Sequence, residues 1–83
     1  MASDETQSIA ERAKRIYADR LRTQLEAEHL HRHVAIEPYS GEFFLGDSFG
    51  EAVRAARDAH PNRVSFVIRI GHEAALHLGG VAS

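Results

Sequence analysis

The chain has no cysteine, no tryptophan, one methionine and two prolines. Without cysteine there is no disulfide staple, no thiolate nucleophile, no zinc–thiolate cluster and no iron–sulfur centre. Neither sign of charge dominates: ten Lys and Arg stand against twelve Asp and Glu, for a net charge of −2. The halves are alike, with six basic and seven acidic side chains in residues 1–40 and four and five in 41–83. Neither half is the basic footprint that nucleic acid asks for, and no polybasic stretch suits an anionic membrane. No apolar run approaches the roughly 18 residues of a membrane span. The opening MASDETQSIAER lacks the apolar core and positive flank of a secretory leader, so the cytoplasm is the expected compartment.

What remains is a short chain able to fold. Its 83 residues are 43% hydrophobic, enough for a real core and too few for more than one domain. A single domain over 1–83 is expected, ordered from about residue 4 to 78, with 79–83 frayed. Ser3 or Asp4 can cap a first helix, in which Ile9, Ala13, Tyr17, Leu21 and Leu25 recur every four residues with Ile16 beside them. The opposite face is charged, with Glu11–Arg15 and Arg22–Glu26 spaced as ion pairs. From His33 the period changes to two. Val34 and Ile36 face one way, Ala35 and Glu37 the other; Pro38-Tyr39-Ser40-Gly41 turns, and Glu42 to Gly46 returns as a hairpin. Ser48 and Glu51 form a capping box for a second core helix, carrying Phe49, Ala52, Val53 and Ala56, that stops at His60 before Pro61. Val64 to Ile70 is the clearest strand, with one core face and a partly wet face bearing Ser65 and Arg69. Residues 72–78 fit either a helical turn or a fourth strand. The expected fold is α+β, in the order α-β-β-α-β with room for that short fourth element. A three-stranded mixed sheet of order 2-1-3 follows, with the helices on one face or one on each.

The run from Val34 to Arg57 (VAIEPYSGEFFLGDSFGEAVRAAR), followed by Ser65 to His72 (SFVIRIGH), resembles a group of short bacterial proteins of unknown function. Arg12 to Tyr17 and Leu25 to His29 share in that resemblance, which implies no activity and no functional residues. The local string Gly46, Asp47, Ser48, Glu51 and Ala52 is also similar to HicB-type antitoxins, which place such a cap after a hairpin. That resemblance implies a regulator that binds a toxin and DNA. The long first helix, and the lack of a C-terminal DNA-binding segment, depart from that pattern.

Six histidines are the one compositional oddity. His29, His31 and His33 would share a strand face, and His29 and His33 a helix face, either of which suits zinc or nickel. The reading preferred is a helix-to-strand junction whose histidines are solvated, since no neighbouring Asp or Cys completes a ligand set. His72 and His77 are spaced too awkwardly to share a face, and His60 gains from the helix dipole. Catalysis finds little. Ser48 is a cap, Ser40 lies in a turn, Ser65 is the remaining candidate hydroxyl, and no G-x-S-x-G elbow is present. Glu37 and Glu42 flank the hairpin turn, but exposed ends do not split carboxylate pKa values. No P-loop or dinucleotide fingerprint occurs. Arg54, Arg57, Arg63 and Arg69, with Phe43, Phe44 and Phe66, form a weak nucleic-acid surface against an acidic total. The expectation is an accessory protein without catalysis or cofactor. It would contact a protein partner, or a second copy as a homodimer, through a sheet edge or the helix face of Tyr17, Leu21, Leu25 and Leu30. The alternatives are a HicB-like regulator and a histidine metal binder.

Overall fold

A computed structural model of the protein describes residues 3–72 and 78–79. Helix α1 (Ser3–Ile16) runs through a π-helical turn (Tyr17–Leu21) into α2 (Arg22–Glu28). Then follow β1 (His33–Ile36), β2 (Phe43–Gly46), α3 (Phe49–Ala59), β3 (Ser65–Arg69) and the two-residue β4 (Leu78–Gly79). The fold is α+β, and its sheet has the order β2-β1-β3-β4. The expected order 2-1-3 holds, but the sheet is antiparallel at every pairing rather than mixed. Strands β2 and β3 do run the same way, as a crossover through a helix requires. Because β1 lies between them and opposes both, no parallel ladder forms. The ambiguity over residues 72–78 is settled only at its end, where Leu78 pairs with Phe66. Residues 73–77, including His77, and the tail at 80–83 lie outside the described residues, as do the side chains of the proposed cap at Ser3 or Asp4.

One helical layer covers each face of the sheet. Val34, Ile36, Phe66, Ile68 and Ile70 meet Ile9, Ala10, Ala13, Tyr17, Leu21 and Leu25 from the first helical layer. On the opposite face, Ala35 and Val67 meet Ala52 and Ala56 of α3. The expectation that the Ser65 face is partly wet is therefore corrected. Beneath α3, Ser65 and Val67 are buried and only Arg69 remains exposed. Small residues at 35, 52 and 56 let α3 approach the sheet closely.

The π turn explains how a four-residue repeat keeps facing the sheet. At about 100° per residue, a step of four overshoots a full circle by about 40°, so five such positions would wander around a plain α-helix. Yet Ile9, Ala13, Tyr17, Leu21 and Leu25 are all buried. The amide of Arg22 donates to the Tyr17 carbonyl five residues back. This wider turn takes up the surplus residue and restores the phase. Of the two ion pairs expected along this helix, Arg22–Glu26 forms at 3.6 Å. Glu11–Arg15 is not among the ion pairs of the described residues.

Helix α3 begins as its sequence implies. Ser48 Oγ accepts from the Glu51 amide at 3.1 Å, while Glu51 Oε1 accepts from the Asp47 amide at 2.9 Å, one residue further back than an ordinary capping box. Gly46 makes this close entry of the chain sterically feasible. A Cβ there would stand 2.5 Å from the Ala52 nitrogen and 2.9 Å from the Glu51 carbonyl carbon, both backbone atoms that cannot swing aside. At Gly50, an added Cβ meets nothing within 4 Å. Gly46→Ala is expected to cost about 1–3 kcal/mol through overpacking. Gly50→Ala should add about 0.5 kcal/mol through helix propensity. Urea melts of the two variants check this, and equal effects at both positions would refute the close-approach reading.

Candidate functional site

The helix face expected to make contacts is mostly core. Tyr17, Leu21 and Leu25 are buried against the sheet, so they are not an available surface; Leu30 alone, 50% exposed, remains outside. The Tyr17 hydroxyl donates to Glu26 at 3.2 Å. Burial pushes its pKa above the usual tyrosine value, with the Glu26 hydrogen bond and charge adding to the rise. A small core uses this stripe to cover one sheet face.

The histidines do not gather as a ligand set. His31 Nδ1 lies 2.8 Å from His72 Nε2, His29 Nδ1 lies 3.1 Å from Arg32 Nη1, and His33 turns its Nδ1 into the protein without a partner among the described residues. No group of three His, Asp or Glu suited to a metal occurs among the described residues. The His31–His72 contact instead fastens the α2–β1 connection to the end of β3. It is reinforced by backbone bonds from His31 to the Ile70 carbonyl (2.9 Å) and from Ile70 to the Arg32 carbonyl (2.8 Å). Loss of hydration lowers the His72 pKa, and the charges of Arg69, His31 and His33 lower it further.

The opposite end of β1 carries the most demanding chemistry in the fold. Glu37, 1% exposed, is buried rather than solvated as the hairpin reading assumed. Its carboxylate accepts from the Ser40 amide at 2.7 Å, from the Tyr39 amide at 3.1 Å and from Arg63 Nη1 at 3.2 Å. The backbone carbonyl of Glu37 accepts from the Gly41 amide at 2.9 Å, with Gly41 in the left-handed region at φ 80°. Burial pushes the carboxyl upward, but the hydrogen bonds from Ser40 and Tyr39 and the charge of Arg63 outweigh it and leave the pKa below the usual glutamate value. Glu42 points elsewhere and pairs with His60, so the two carboxylates do not act on one another. Ser40 Oγ accepts from the Glu42 amide, and Ser65 Oγ is buried without a partner among the described residues.

Above this buried anchor stands Tyr39, 56% exposed. The guanidinium carbons of Arg12 and Arg63 lie 5.1 and 5.7 Å from its ring centre, both at cation–π range. A groove of about 360 Å³ runs along one side, lined by Arg12, Arg15, Ile16, Asp19, Arg20 and Pro38. A second, of about 390 Å³, is lined by Ile9, Tyr39, Asn62, Arg63 and Val64. Of the four arginines considered for nucleic acid, only Arg63 joins this site. Arg54 and Arg57 flank a separate groove on α3, and Arg69 donates to the His31 carbonyl at the other end of β1. The alternation that put Glu37 on the Ala35 face was the one sequence signal that it points inward. Nothing in the linear order brought Arg12 to Tyr39.

No protein-family model, curated protein or solved structure matches this chain.

Two titrations separate the two ends of β1. His72 is harder to protonate when folded, so the unfolded chain takes up its proton first and stability falls as pH drops through 6.5. Glu37 has a lowered folded pKa, so its contribution is present above 4.5 and is lost as pH falls through the folded value. Stability should thus weaken in two steps on acidification, and His72→Asn should remove the first alone. A wild-type stability curve flat from about pH 7 to 5.5 would count against the histidine contact. At neutral pH, Glu37→Ala should cost about 2–4 kcal/mol in urea melts, because it strands buried donors.

Proposed function

We propose that this protein is a protein–protein interaction module without catalysis and that the β1–β2 turn is its contact face. The observation that carries the reading is an exposed tyrosine held between two guanidiniums over a turn pinned by a buried carboxylate. Tyrosine and arginine are the residue types that concentrate binding energy at interfaces. A tyrosine immobilised before binding loses little rotamer entropy on contact, which makes the face preorganised. A buried charge costs folding energy unless several donors meet it, and here those donors are the amides that set the turn. The groups that chemistry would need are committed to holding the fold: Ser48 to a cap, Glu37 to the turn and Glu42 to His60.

A photo-crosslinking side chain at Tyr39, introduced into the chain in its source cells, tests this reading. One defined protein adduct is expected, with no counterpart from the same group placed at Asp58 on α3. Its mass distinguishes a different protein from a second copy of this chain. Co-purification of that partner should fall about tenfold or more with Tyr39→Ala and be kept by Tyr39→Phe. Adducts of equal yield from both positions, or none from Tyr39, would overturn the assignment.

A further inference from the structure

We infer that the groove between α1 and the β1–β2 turn takes an acidic segment of the protein partner, its carboxylates seated on Arg12, Arg15 and Arg20. This rests on the turn being a contact face and adds the chemistry of what it contacts. The first argument is the charge left over. Arg22, Arg32 and Arg63 each meet a carboxylate within 4 Å, at Glu26, Asp47 and Glu37. No described carboxylate lies that close to Arg12, Arg15 or Arg20, and all three are exposed. They line one groove in which Asp19 is the only acid among the described residues, although the chain as a whole carries −2. The groove is therefore a positive site on a negative protein, which both attracts an acidic segment and orients it.

The second argument is shape. Arg12 and Arg20 are eight residues apart on a continuous helix, a rise of about 12 Å. An extended chain covers that length in about four residues, with alternate side chains on one side. The site therefore suits carboxylates spaced along a strand better than one compact anion. Ile16 and Pro38 give it an apolar part, and Arg12 in its lining also meets the Tyr39 ring at 5.1 Å. Arg20 already reaches across, its Nη1 3.3 Å from where a Gly41 Cβ would stand. Guanidinium forks pair with carboxylates in two-point fashion, which a lysine would not do. Nucleic acid offers the same charge but asks for a larger basic surface and for free aromatic faces, while the Tyr39 ring already has a guanidinium at each of two contacts.

Fluorescence anisotropy with a labelled peptide of alternating Glu and Ser is the direct test, set against a Lys-Ser peptide, inorganic phosphate and a short single-stranded DNA. The Glu-Ser peptide should bind, weaken as salt rises, and shift the backbone amide resonances of residues 12–20 and 39–41. Arg15→Glu and Arg20→Glu should each weaken it about tenfold or more, while Arg54→Glu on α3 should leave it unchanged. Arg15→Gln, which removes the charge without reversing it, should give an intermediate loss, and thermal melts confirm that each variant folds. The inference is overturned if the Glu-Ser peptide fails to bind, if Arg15→Glu leaves its affinity unchanged, or if phosphate or DNA binds this groove more tightly. A Tyr39 adduct whose formation ignores the Arg15 and Arg20 variants would sink the acidic partner and keep the contact face. Peptide binding without any Tyr39 adduct would do the reverse.

Discussion

At the centre of the sheet, Val34, Ala35 and Ile36 have no exposed surface, and Glu37 follows them inward. A strand buried on both faces and paired on both edges leaves its backbone groups satisfied by neighbours and its side chains divided between two cores. Most of the other elements are placed by this requirement. Strands β2 and β3 flank β1, the first helical layer covers the Val34 and Ile36 face, and α3 covers the Ala35 face. When such a strand carries a glutamate at its end, the carboxylate cannot reach water. It must be met by donors, and the amides of the following turn are the nearest supply. One constraint thus fixes both the layers and the shape of the hairpin tip.

The helical layer solves a related problem with little chain. One helix, interrupted by a π turn, supplies six of the buried residues on its face of the sheet. A plain α-helix with this spacing would have turned Leu21 and Leu25 away from the sheet. A π turn has poorer bonding geometry than the α-helix around it and persists where packing stabilises it. Here the gain is the burial of two leucines, each worth about 1.5–3 kcal/mol. The same economy spends Tyr17, Leu21 and Leu25 on the core.

The two ends of β1 differ in character as well as in position. At the start of the strand, His31, His72, Arg32 and Arg69 bind the chain to itself through neutral and charged hydrogen bonds. At the far end, the donors are spent on one buried carboxylate, and the arginines beyond it are left without acidic partners among the described residues. Guanidiniums without a carboxylate among the described residues stand here beside an exposed aromatic ring. They are exposed, whereas Leu25 and Tyr17 are buried.

The elements were legible in the linear order because each rests on local chemistry. Period-two alternation marked β1 and β3, the Ser48 cap and Pro61 bounded α3, and the helix–strand sequence implied the order 2-1-3. The helix stripe was legible as apolar but not as wholly core, since a stripe reads the same whether a sheet or a partner covers it. The mixed sheet was a wrong inference from a correct one: parallel directions for β2 and β3 do not make them neighbours. Local patterning alone therefore determined which segments are helix or strand and which of their residues are apolar. Only the tertiary structure decided that both faces of β1 close over Glu37, that Arg12 reaches Tyr39 from 27 positions away in the chain, and that the histidines part company. Those outcomes depend on which surfaces meet when the layers pack, a long-range matter that short-range periodicity does not encode.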